Sequence, residues 1–220
     1  LWHITSLGCF STSNAWWCGR ENSLTYQAGS NHVDTAFTST NISLGSTPAT
    51  LVFHEWYETE NGLDDCQLWL STNNGTAWMP VRTNCWGSST GWRMSATDLS
   101  SLTNGTVRIR FRFDTQNGLF NEYPGWFVDD IQIAQKVDQD NDGLYDYEET
   151  WYGTNPTNTD SDQDGIKDGD EIYLAGTDAA DPASAMAFEQ IRPAVTGRVE
   201  LSWRSTQGKH YGLEYKDALT

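Results

Sequence analysis

Basic side chains are scarce in this sequence, with 13 Lys and Arg against 30 Asp and Glu and a formal charge of −17. Nucleic-acid binding depends on clustered Lys and Arg that neutralise phosphates, so this shortage excludes a general nucleic-acid-binding function. No apolar run approaches the ~20 residues that a membrane-spanning helix needs, so we expect no insertion into a bilayer. No basic and apolar leader precedes Leu1, and we expect the sequence to be a mature or excised part of a longer chain.

Recognisable catalytic motifs are also lacking. His54-Glu55 begins like the zinc-protease motif HExxH, but position 58 is Glu instead of the second His. No serine lies in a nucleophile-elbow motif. Glu58 and Glu60 point the same way along one predicted strand and could imitate the two carboxylates of a glycosidase. We therefore predict a non-catalytic protein, with a glycan-active enzyme domain as one alternative.

The cysteines are few, and their positions indicate an oxidising compartment. All four lie in the first 85 residues, and none has the CxxC or Cys/His spacing of a zinc site. Of the three possible pairings we favour Cys9–Cys18 and Cys66–Cys85, because the second pair flanks a predicted hairpin. The alternative is four buried thiols without disulfides.

Residues 1–135 show short alternating runs that are broken by Gly, Asn, Ser and Thr clusters, without helical periodicity, which predicts an all-β sandwich. The clearest strand is 106–114, in which apolar and charged residues alternate. Further strands are predicted over 51–58, 66–71 and 126–133. Asn73-Asn74-Gly75 predicts a hairpin turn.

The end of the sequence predicts one more hairpin. Apolar residues alternate over 199–203 and again over 211–215, on either side of Gln207-Gly208. Two strands alone are only marginally stable in water. We therefore expect this segment to pack on a neighbour or to begin a domain that is incomplete here.

Between these regions, 138–181 contains 14 Asp and Glu against the single Lys167, so −13 of the −17 charges lie in this segment. It has few core residues and cannot fold on hydrophobic burial alone. The sequences DQDNDGLYDYEE at 138–149 and DSDQDGIKDGDE at 160–171 form an internal repeat of 22 residues. A cation is needed to neutralise so much charge.

The spacing within each repeat is that of a calcium-binding loop. Calcium takes six to eight oxygen ligands, and carboxylates at loop positions 1, 3, 5, 9 and 12 surround one point when Gly occupies position 6 and position 7 offers its carbonyl. The first loop would use Asp138, Asp140, Asp142, Leu144, Asp146 and Glu149. The second loop would use Asp160, Asp162, Asp164, Ile166, Asp168 and Glu171. Asn155 and Asp178 are candidate additional ligands, and the alternative is an acidic solvated linker.

These loops, with GTNP at 153–156 and GTD at 176–178, resemble thrombospondin type 3 repeats of the bacterial kind over about 138–183. They differ from EF-hands, which need a helix before the loop, because IQIAQKV at 131–137 is typical of a strand. The resemblance implies a calcium-stiffened spacer in an extracellular protein.

Residues 1–135 resemble the MAM-like or immune-inhibitor-A-like jelly-roll domains of secreted bacterial proteins. The matching stretches are LWHIT at 1–5, WYETE at 56–60, RIRFRFDT at 108–115 and YPGWFVDDI at 123–131. The resemblance implies a jelly roll but identifies no ligand, since one fold carries many functions. Residues 188–220 faintly resemble the start of a fibronectin-type-III-like or sorting-associated C-terminal domain.

The jelly roll could hold a metal of its own. Strand alternation predicts Asp129 on the same face as Phe127, Ile131 and Ile133, and a buried carboxylate needs a partner. The candidate metal-binding partners are Glu58, Glu60 and Asp65. The alternatives are an ion pair with an arginine such as Arg20, or a bulge that shifts the register.

The 11 tryptophans suggest sugar binding, because flat sugar faces stack on aromatic rings. The candidates are those in loop-like segments, namely Trp16, Trp17, Trp86 and Trp92. The alternative for each is a place in the sandwich core.

Together these patterns predict an all-β protein in three parts: a jelly-roll β-sandwich over 1–136, calcium-binding repeats over 137–183, and the start of a C-terminal β domain over 184–220. We predict an extracellular accessory or adhesion region of a secreted or cell-surface bacterial protein, with calcium as cofactor. Its partner would be a glycan or a protein surface. The structural alternative is a fibre subunit that self-assembles through its C-terminal strands.

Overall fold

The computed structural model describes residues 1–11, 13–185, 188–194 and 198–203. The chain divides into two compact units, Leu1–Gln135 and Lys136–Thr220. Within the described part of the chain, none of the helices has the length and apolar character that a bilayer crossing demands.

The first unit is a two-sheet antiparallel β-sandwich, as the alternating runs predict. Its strands are β1 Trp2–Thr5, β2 Ala15–Cys18, β3 Asp34–Thr38, β4 Ile42–Ser43, β5 Ala49–Glu58, β6 Asp65–Ser71, β7 Met79–Arg82, β8 Arg93–Asp98, β9 Thr106–Asp114 and β10 Gly125–Gln135. The first sheet has the order β1-β2-β10-β5-β8, and the second has the order β3-β9-β6-β7 with β4 paired to β9. The all-β fold class is confirmed.

The core lies between the two sheets, and β9 shows why this sequence forms it. Successive strand residues face opposite sides, so the apolar residues of β9 point inward together and its arginines point outward. The inward residues are at most 2% exposed: Val107, Ile109, Phe111 and Phe113. The ring of Phe111 meets those of Phe53 and Trp126 from the first sheet at 5.0 and 5.7 Å. Each such side chain contributes about 1.5–3 kcal/mol on burial.

A bulge in β10 changes the face that its residues occupy. The pairing of β10 with β5 shifts register between Asp129 and Gln132, and Asp130 between them has φ of 47°. Ile131 and Ile133 therefore pack against the core, together with Trp126 and Val128. The prediction that Asp129 shares a face with these isoleucines is wrong, since the bulge inserts an extra residue between them. The register-shifting alternative is confirmed.

The hairpin between β6 and β7 turns where the sequence predicts. Asn74 and Gly75 have φ of 59° and 83°, the left-handed region that Asn and Gly tolerate best. The hydroxyl of Ser71 accepts the N–H of Gly75 at 2.9 Å, which closes the turn.

All four cysteines are free thiols in the structure, so it contains neither predicted disulfide. Cys18 pairs with Trp2 at the far end of the β1–β2 hairpin, whereas the Cys9 thiol bonds to the carbonyl of Thr5 near the hairpin loop. Thr5 and Trp2 are three strand residues apart, which is about 10 Å at ~3.4 Å per residue. Cys9 and Cys18 therefore lie too far apart for a disulfide. Cys66 and Cys85 are neighbours, because the N–H of Cys66 donates to the carbonyl of Cys85 at 2.9 Å.

A charged residue lies inside the sandwich, and the sequence pattern does not predict it. Glu55 on β5 is 0% exposed and points to the core side, between Phe53 and Tyr57. Both nitrogens of the Arg82 fork donate to its carboxylate, at 2.6 and 2.8 Å. The remaining donors to this carboxylate are Arg93, Ser95 and Trp126. A buried charge is tolerated only with such complete pairing.

The described part of the second unit contains irregular loops followed by strands. Short helical segments follow the two acidic loops: α1 Asp146–Tyr152, then α2 Asp168–Asp170, which continues as a π-helical turn Glu171–Ala175. Two strands, β11 Phe188–Ala194 and β12 Arg198–Trp203, form an antiparallel pair. The predicted strand over 199–203 is thus part of β12, and it pairs with the preceding strand. The predicted strand over 211–215 lies outside the described residues.

Candidate functional site

The first carboxylate of each acidic loop closes the loop on itself. Both oxygens of Asp138 accept backbone N–H groups, from Asn141 at 2.8 Å and from Gly143 at 3.2 Å. The second loop repeats both bonds at Asp160, with Gln163 at 2.8 Å and Gly165 at 3.0 Å. Two independent stretches of sequence therefore fold into the same ring.

The backbone conformation explains why Gly stands at position 6. Gly143 and Gly165 have φ of 106° and 96°, which side chains rarely adopt. Position 4 is left-handed as well, with φ of 63° at Asn141 and 66° at Gln163. Two such residues bend the chain sharply enough to turn the side chains of positions 1, 3 and 5 toward one point. Within each loop these three carboxylates have ligand oxygens within 4.8 Å of one another.

The buried oxygens of the loops identify where a cation fits. Among the described residues, positions 3, 5 and 12 of both loops have buried carboxylate oxygens without a hydrogen-bond partner: Asp140, Asp142, Glu149, Asp162, Asp164 and Glu171. Glu149 is 0% exposed, and neither of its oxygens has a partner. A buried ionised carboxylate without a partner is strongly unfavourable, and a hard cation is the partner that six to eight such oxygens suit.

The electrostatics of the loops lead to the same conclusion. Burial, together with the neighbouring Asp140 and Asp142, raises the pKa of Glu149 to about 7. Burial and nearby aspartates also raise the pKa of Asp142, Asp162 and Glu171. Like charges held this close favour neutralisation, and a bound divalent cation supplies it.

The carboxylates at position 9 accept hydrogen bonds from the start of their own loops. Asp146 accepts the N–H of Gln139 at 3.1 Å, and Asp168 accepts the N–H and hydroxyl of Ser161 at 2.8 and 2.6 Å. These carboxylates fasten the start of each loop to its helix. Asp168 is also fully buried.

One carboxylate of the second repeat reaches the first. Asp168, Asp142 and Glu149 have ligand oxygens within 4.8 Å of one another, and all three residues are buried. Gly169 permits this approach, since a Cβ there would lie 2.4 Å from the carbonyl oxygen of Asp142. The spacing pattern could not reveal the contact, because it joins residues of different loops.

The position 7 residues are fixed by their own loops. The N–H groups of Leu144 and Ile166 donate to the carboxylates of Asp142 and Asp164, at 2.8 Å in both cases. Leu144 is 0% exposed and gives the segment one of its few core side chains. The backbone that carries the predicted carbonyl ligands is therefore well anchored.

The structure places Asn155 and Asp178 in turns after the helical segments. Asn155 accepts the N–H and hydroxyl of Thr157 at 3.2 and 2.9 Å, and Asp178 accepts the N–H of Ala180 at 3.1 Å. Such bonds are typical of Asx turns. The structure does not bring Asp178 into any of the acidic groups of the described residues.

Between the position 12 glutamate and the next glycine, the second repeat has one residue more than the first. It accommodates this residue in a π turn. The N–H of Gly153 donates to the carbonyl of Glu149 four residues earlier, at 2.8 Å. The N–H of Gly176 donates to Glu171 five residues earlier, at 2.6 Å. Both glycines then end the helical segment with positive φ. The position 12 glutamate thus keeps its place in both repeats.

The first unit has a separate feature, an aromatic row across four strands. His3, Trp17, Phe127 and Trp56 are register partners across β1, β2, β10 and β5. Phe127 lies 5.0 Å from Trp17 in a stacked arrangement and 5.2 Å from Trp56. This row lies on the outer face of the first sheet, opposite the core residues Cys18, Trp126 and Tyr57.

Two more rings extend this row. The ring of Phe10 stacks on His54 at 4.0 Å and lies 5.7 Å from Trp92, which is 6.5 Å from Phe127. Phe10 is 40% exposed. The outer aromatic surface is defined by the partly exposed His3, Phe10, Trp56 and Trp92, which adjoin the buried rings of Trp17 and Phe127. Trp56 and Phe127 lie in strands, so the search for aromatic residues in loops did not find them. The alternation of residues along β5 and β10 could have identified them.

The four tryptophans predicted for sugar binding differ in their exposure and packing. Trp17 is 1% exposed and donates its indole N–H to the carbonyl of Pro124 at 2.8 Å, so it cannot offer a free ring face. Trp16 stacks on Phe37 and packs against the core. Trp86 is half-buried. Trp92 is half-buried and belongs to the outer aromatic surface.

The structure does not bring Asp129 into any of the acidic groups found among the described residues. One oxygen of Asp129 accepts the N–H groups of Phe10 and Ser11, at 3.0 and 3.1 Å. Glu58 pairs with Gly125 at the other end of the strand pair. Asp129 therefore anchors the loop after β1, a role for which neither a metal nor Arg20 is needed.

The solved structures that are similar to the chain include the following three. TmCBM61 in complex with beta-1,4-galactotriose has 12% identity, covers 61% of this chain and 81% of its own, and gives a TM-score of 0.41. A Family 16 Carbohydrate Binding Module-2 has 9% identity, covers 61% and 85%, and gives a TM-score of 0.38. A Paenibacillus sp. cycloisomaltooligosaccharide glucanotransferase complexed with cycloisomaltoheptaose has 12% identity, covers 64% and 18%, and gives a TM-score of 0.29.

A search of curated proteins returns no match. The resemblance of residues 1–135 to MAM-like or immune-inhibitor-A-like domains stays a prediction. Residues 138–159 and 160–182 each match the family model described as the bacterial TSP3 repeat. This match confirms the thrombospondin type 3 repeats that the sequence predicts in this segment.

Proposed function

We propose that residues 138–182 bind two calcium ions and act as a calcium-stiffened spacer in an extracellular protein. One observation carries the proposal: both loops bury unpartnered carboxylate oxygens at the same positions, 3, 5 and 12, among the described residues. Asp138 and Asp160 complete each oxygen set. Without calcium, the mutual repulsion of these carboxylates would loosen the segment, because few apolar side chains oppose it.

The experiment is a calcium titration of the chain by calorimetry, with thermal melts in calcium and in EDTA. Glu149→Gln and Glu171→Gln each neutralise one position 12 carboxylate and should each weaken one site. Asp170→Asn is the matched control, since Asp170 lies in the second repeat but is exposed. Equal calcium affinity in all four proteins would overturn the proposal.

We also propose that the outer aromatic surface binds a glycan, which would make the first unit an adhesion module. The exposed ring of Phe10 and the half-buried Trp56 and Trp92 offer apolar faces on which sugar rings can stack. Carboxylates that can accept sugar hydroxyls flank the surface. Glu21 lies 3.4 Å from His3, and Asp130 lies 3.6 Å from His54.

Glycan-array screening followed by calorimetry tests this second proposal. Phe10→Ala should weaken binding about two- to tenfold, the effect of losing a contact of ~0.5–1.5 kcal/mol. Phe120→Ala is the control, because Phe120 is 63% exposed outside this surface. Equal losses in both variants would contradict the proposal. Cleavage of a bound glycan would instead favour the enzyme alternative with Glu58 and Glu60.

Self-assembly through the C-terminal strands stays an alternative. Size-exclusion chromatography of the chain with and without residues 182–220 tests it. A monomer in both cases would reject the fibre.

A further inference from the structure

The loop between β5 and β6 holds a second kind of acidic cluster. Backbone and side-chain bonds fix its two ends: Thr59 donates its N–H to Gly87 at 2.8 Å and its hydroxyl to the carbonyl of Asp64 at 3.2 Å. The N–H of Asp64 also donates to the carbonyl of Glu60 at 3.3 Å. Asp64 and Glu60 therefore have defined positions at the edge of the sandwich.

Both carboxylates of this loop have an unsatisfied oxygen. Asp64 is 0% exposed, and its Oδ1 has no hydrogen-bond partner among the described residues. The same holds for Oε2 of Glu60. The hydroxyl of Tyr26 joins the two residues, because it donates to the other oxygen of Asp64 and accepts the N–H of Glu60 at 3.2 Å.

A fully buried amide lies on the segment that packs along Tyr26. The N–H of Tyr26 donates to the carbonyl of Tyr123 at 3.1 Å, and a Cβ at Gly125 would lie 3.1 Å from the ring of Tyr26. Asn121 on this segment is 0% exposed, and neither atom of its amide has a partner within the described ranges. An amide oxygen is a usual calcium ligand.

Neighbouring carboxylates make the ionised form of Asp64 less favourable. Burial raises the pKa of Asp64 to about 7, with Glu60 and Asp114 adding to the effect against the hydrogen bond from Tyr26. Neither Asp64 nor Glu60 takes part in an ion pair in the described part of the chain. These residues thus share the property that marks the calcium loops, which is buried oxygen without a donor or a positive charge.

We propose that Asp64, Glu60 and Asn121 bind a hard divalent cation within the first unit, so that the chain holds three calcium ions and not two. The ion would tie the β5–β6 loop to the segment before β10. This site is separate from the calcium repeats, and it does not depend on their binding calcium.

Native mass spectrometry and equilibrium dialysis count the calcium ions that the chain binds. The calcium concentration is 1 mM, about a hundred times a Kd of 10 μM. Wild type and Asp170→Asn should hold three. Asp64→Asn and Glu60→Gln should hold two, with both repeats still loaded. Glu60 is only half-buried, so its variant keeps the test valid if Asp64→Asn fails to fold.

Two results would overturn the proposal: two ions in wild type, or three ions in both Asp64→Asn and Glu60→Gln. Failure of the repeats is recognisable separately. In that case Glu149→Gln and Glu171→Gln would leave the number of ions unchanged.

Discussion

Asp168 of the second repeat lies beside Glu149 of the first, with ligand oxygens within 4.8 Å of each other. Asp168 also holds the start of its own loop through Ser161. One carboxylate thus serves both loops, and the two calcium sites should be coupled. Asp146 has the equivalent position in the first repeat, but within the described residues it joins no such group.

This difference predicts unequal effects of two matched substitutions. Asp168→Asn should weaken calcium binding at both loops, by about 10–100-fold at the loop that loses its supporting contacts. Asp146→Asn should affect the first loop alone. Calorimetric titration of both variants separates the two sites. Identical profiles for Asp146→Asn and Asp168→Asn would show that the sites are independent.

Glu55 in the sandwich core predicts a large loss of stability on truncation. Glu55→Ala leaves Arg82 buried without its partner and should cost about 3–5 kcal/mol in the free energy of unfolding. Asp34→Ala breaks the more exposed pair with Arg112 and should cost less than about 1 kcal/mol. Urea unfolding measures both. A cost for Glu55→Ala as small as that for Asp34→Ala would contradict the role of the buried pair.

The same residue predicts a pH dependence. Burial would raise the pKa of Glu55, but Arg82, Ser95 and Arg93 hold it below its ordinary value of ~4.3. A depressed pKa means that the pair stabilises the fold above ~4.3, and that this contribution disappears as the pH falls through the lower folded value. The stability difference between wild type and Glu55→Gln should therefore shrink below pH ~4.3. A difference that stays constant from pH 6 to pH 3 would contradict the prediction.

Oxidation should join Cys66 to Cys85 and leave Cys9 unpaired with Cys18. The first two are fully and almost fully buried on adjacent backbone segments, whereas Cys18 lies at the far end of its hairpin from Cys9. The bridge would stabilise the fold by about 3 kcal/mol. Peptide mapping without reduction, after mild oxidation, identifies the linked cysteines. A Cys9–Cys18 peptide would disagree with the structure.

Deletion of Leu174 should convert the π turn of the second repeat into the α turn of the first. Leu174 is 67% exposed, so its loss removes little packing. Calcium affinity should change by less than about threefold, which is under ~0.7 kcal/mol. Insertion of one Ala after Tyr152 is the reverse change in the first repeat. Loss of a site in the deletion variant would show that the extra residue is needed.

Patterns with a fixed period were readable from the sequence. The alternation in 106–114 corresponds to β9 residue for residue, and the loop spacing located Asp140, Asp142 and Glu149, together with their counterparts in the second loop. Such patterns report the geometry of one continuous segment. The contact of Asp168 with the first loop joins distant positions, and no local period encodes it.

Interruptions of a periodic pattern could not be predicted from the sequence. The bulge at Asp130 reverses the faces of β10, and one extra residue in a strand leaves no mark in the alternation until the partner strand is known. Glu55 occupies a core position because Arg82 from another strand meets it there. Asn121 and Asp64 likewise become notable only when their burial is measured.

The shared carboxylate gives the array of repeats a direction. The first loop shares Asp168 of the second loop, whereas no acidic group of the described residues joins a carboxylate from elsewhere to Asp160, Asp162 and Asp164 of the second loop. As calcium falls, we expect that loop to empty first, and its loss would then deprive the loop before it of Asp168. The second repeat would therefore lose its calcium and its structure before the first. A protease that cleaves only unfolded segments would then cut the second repeat before the first.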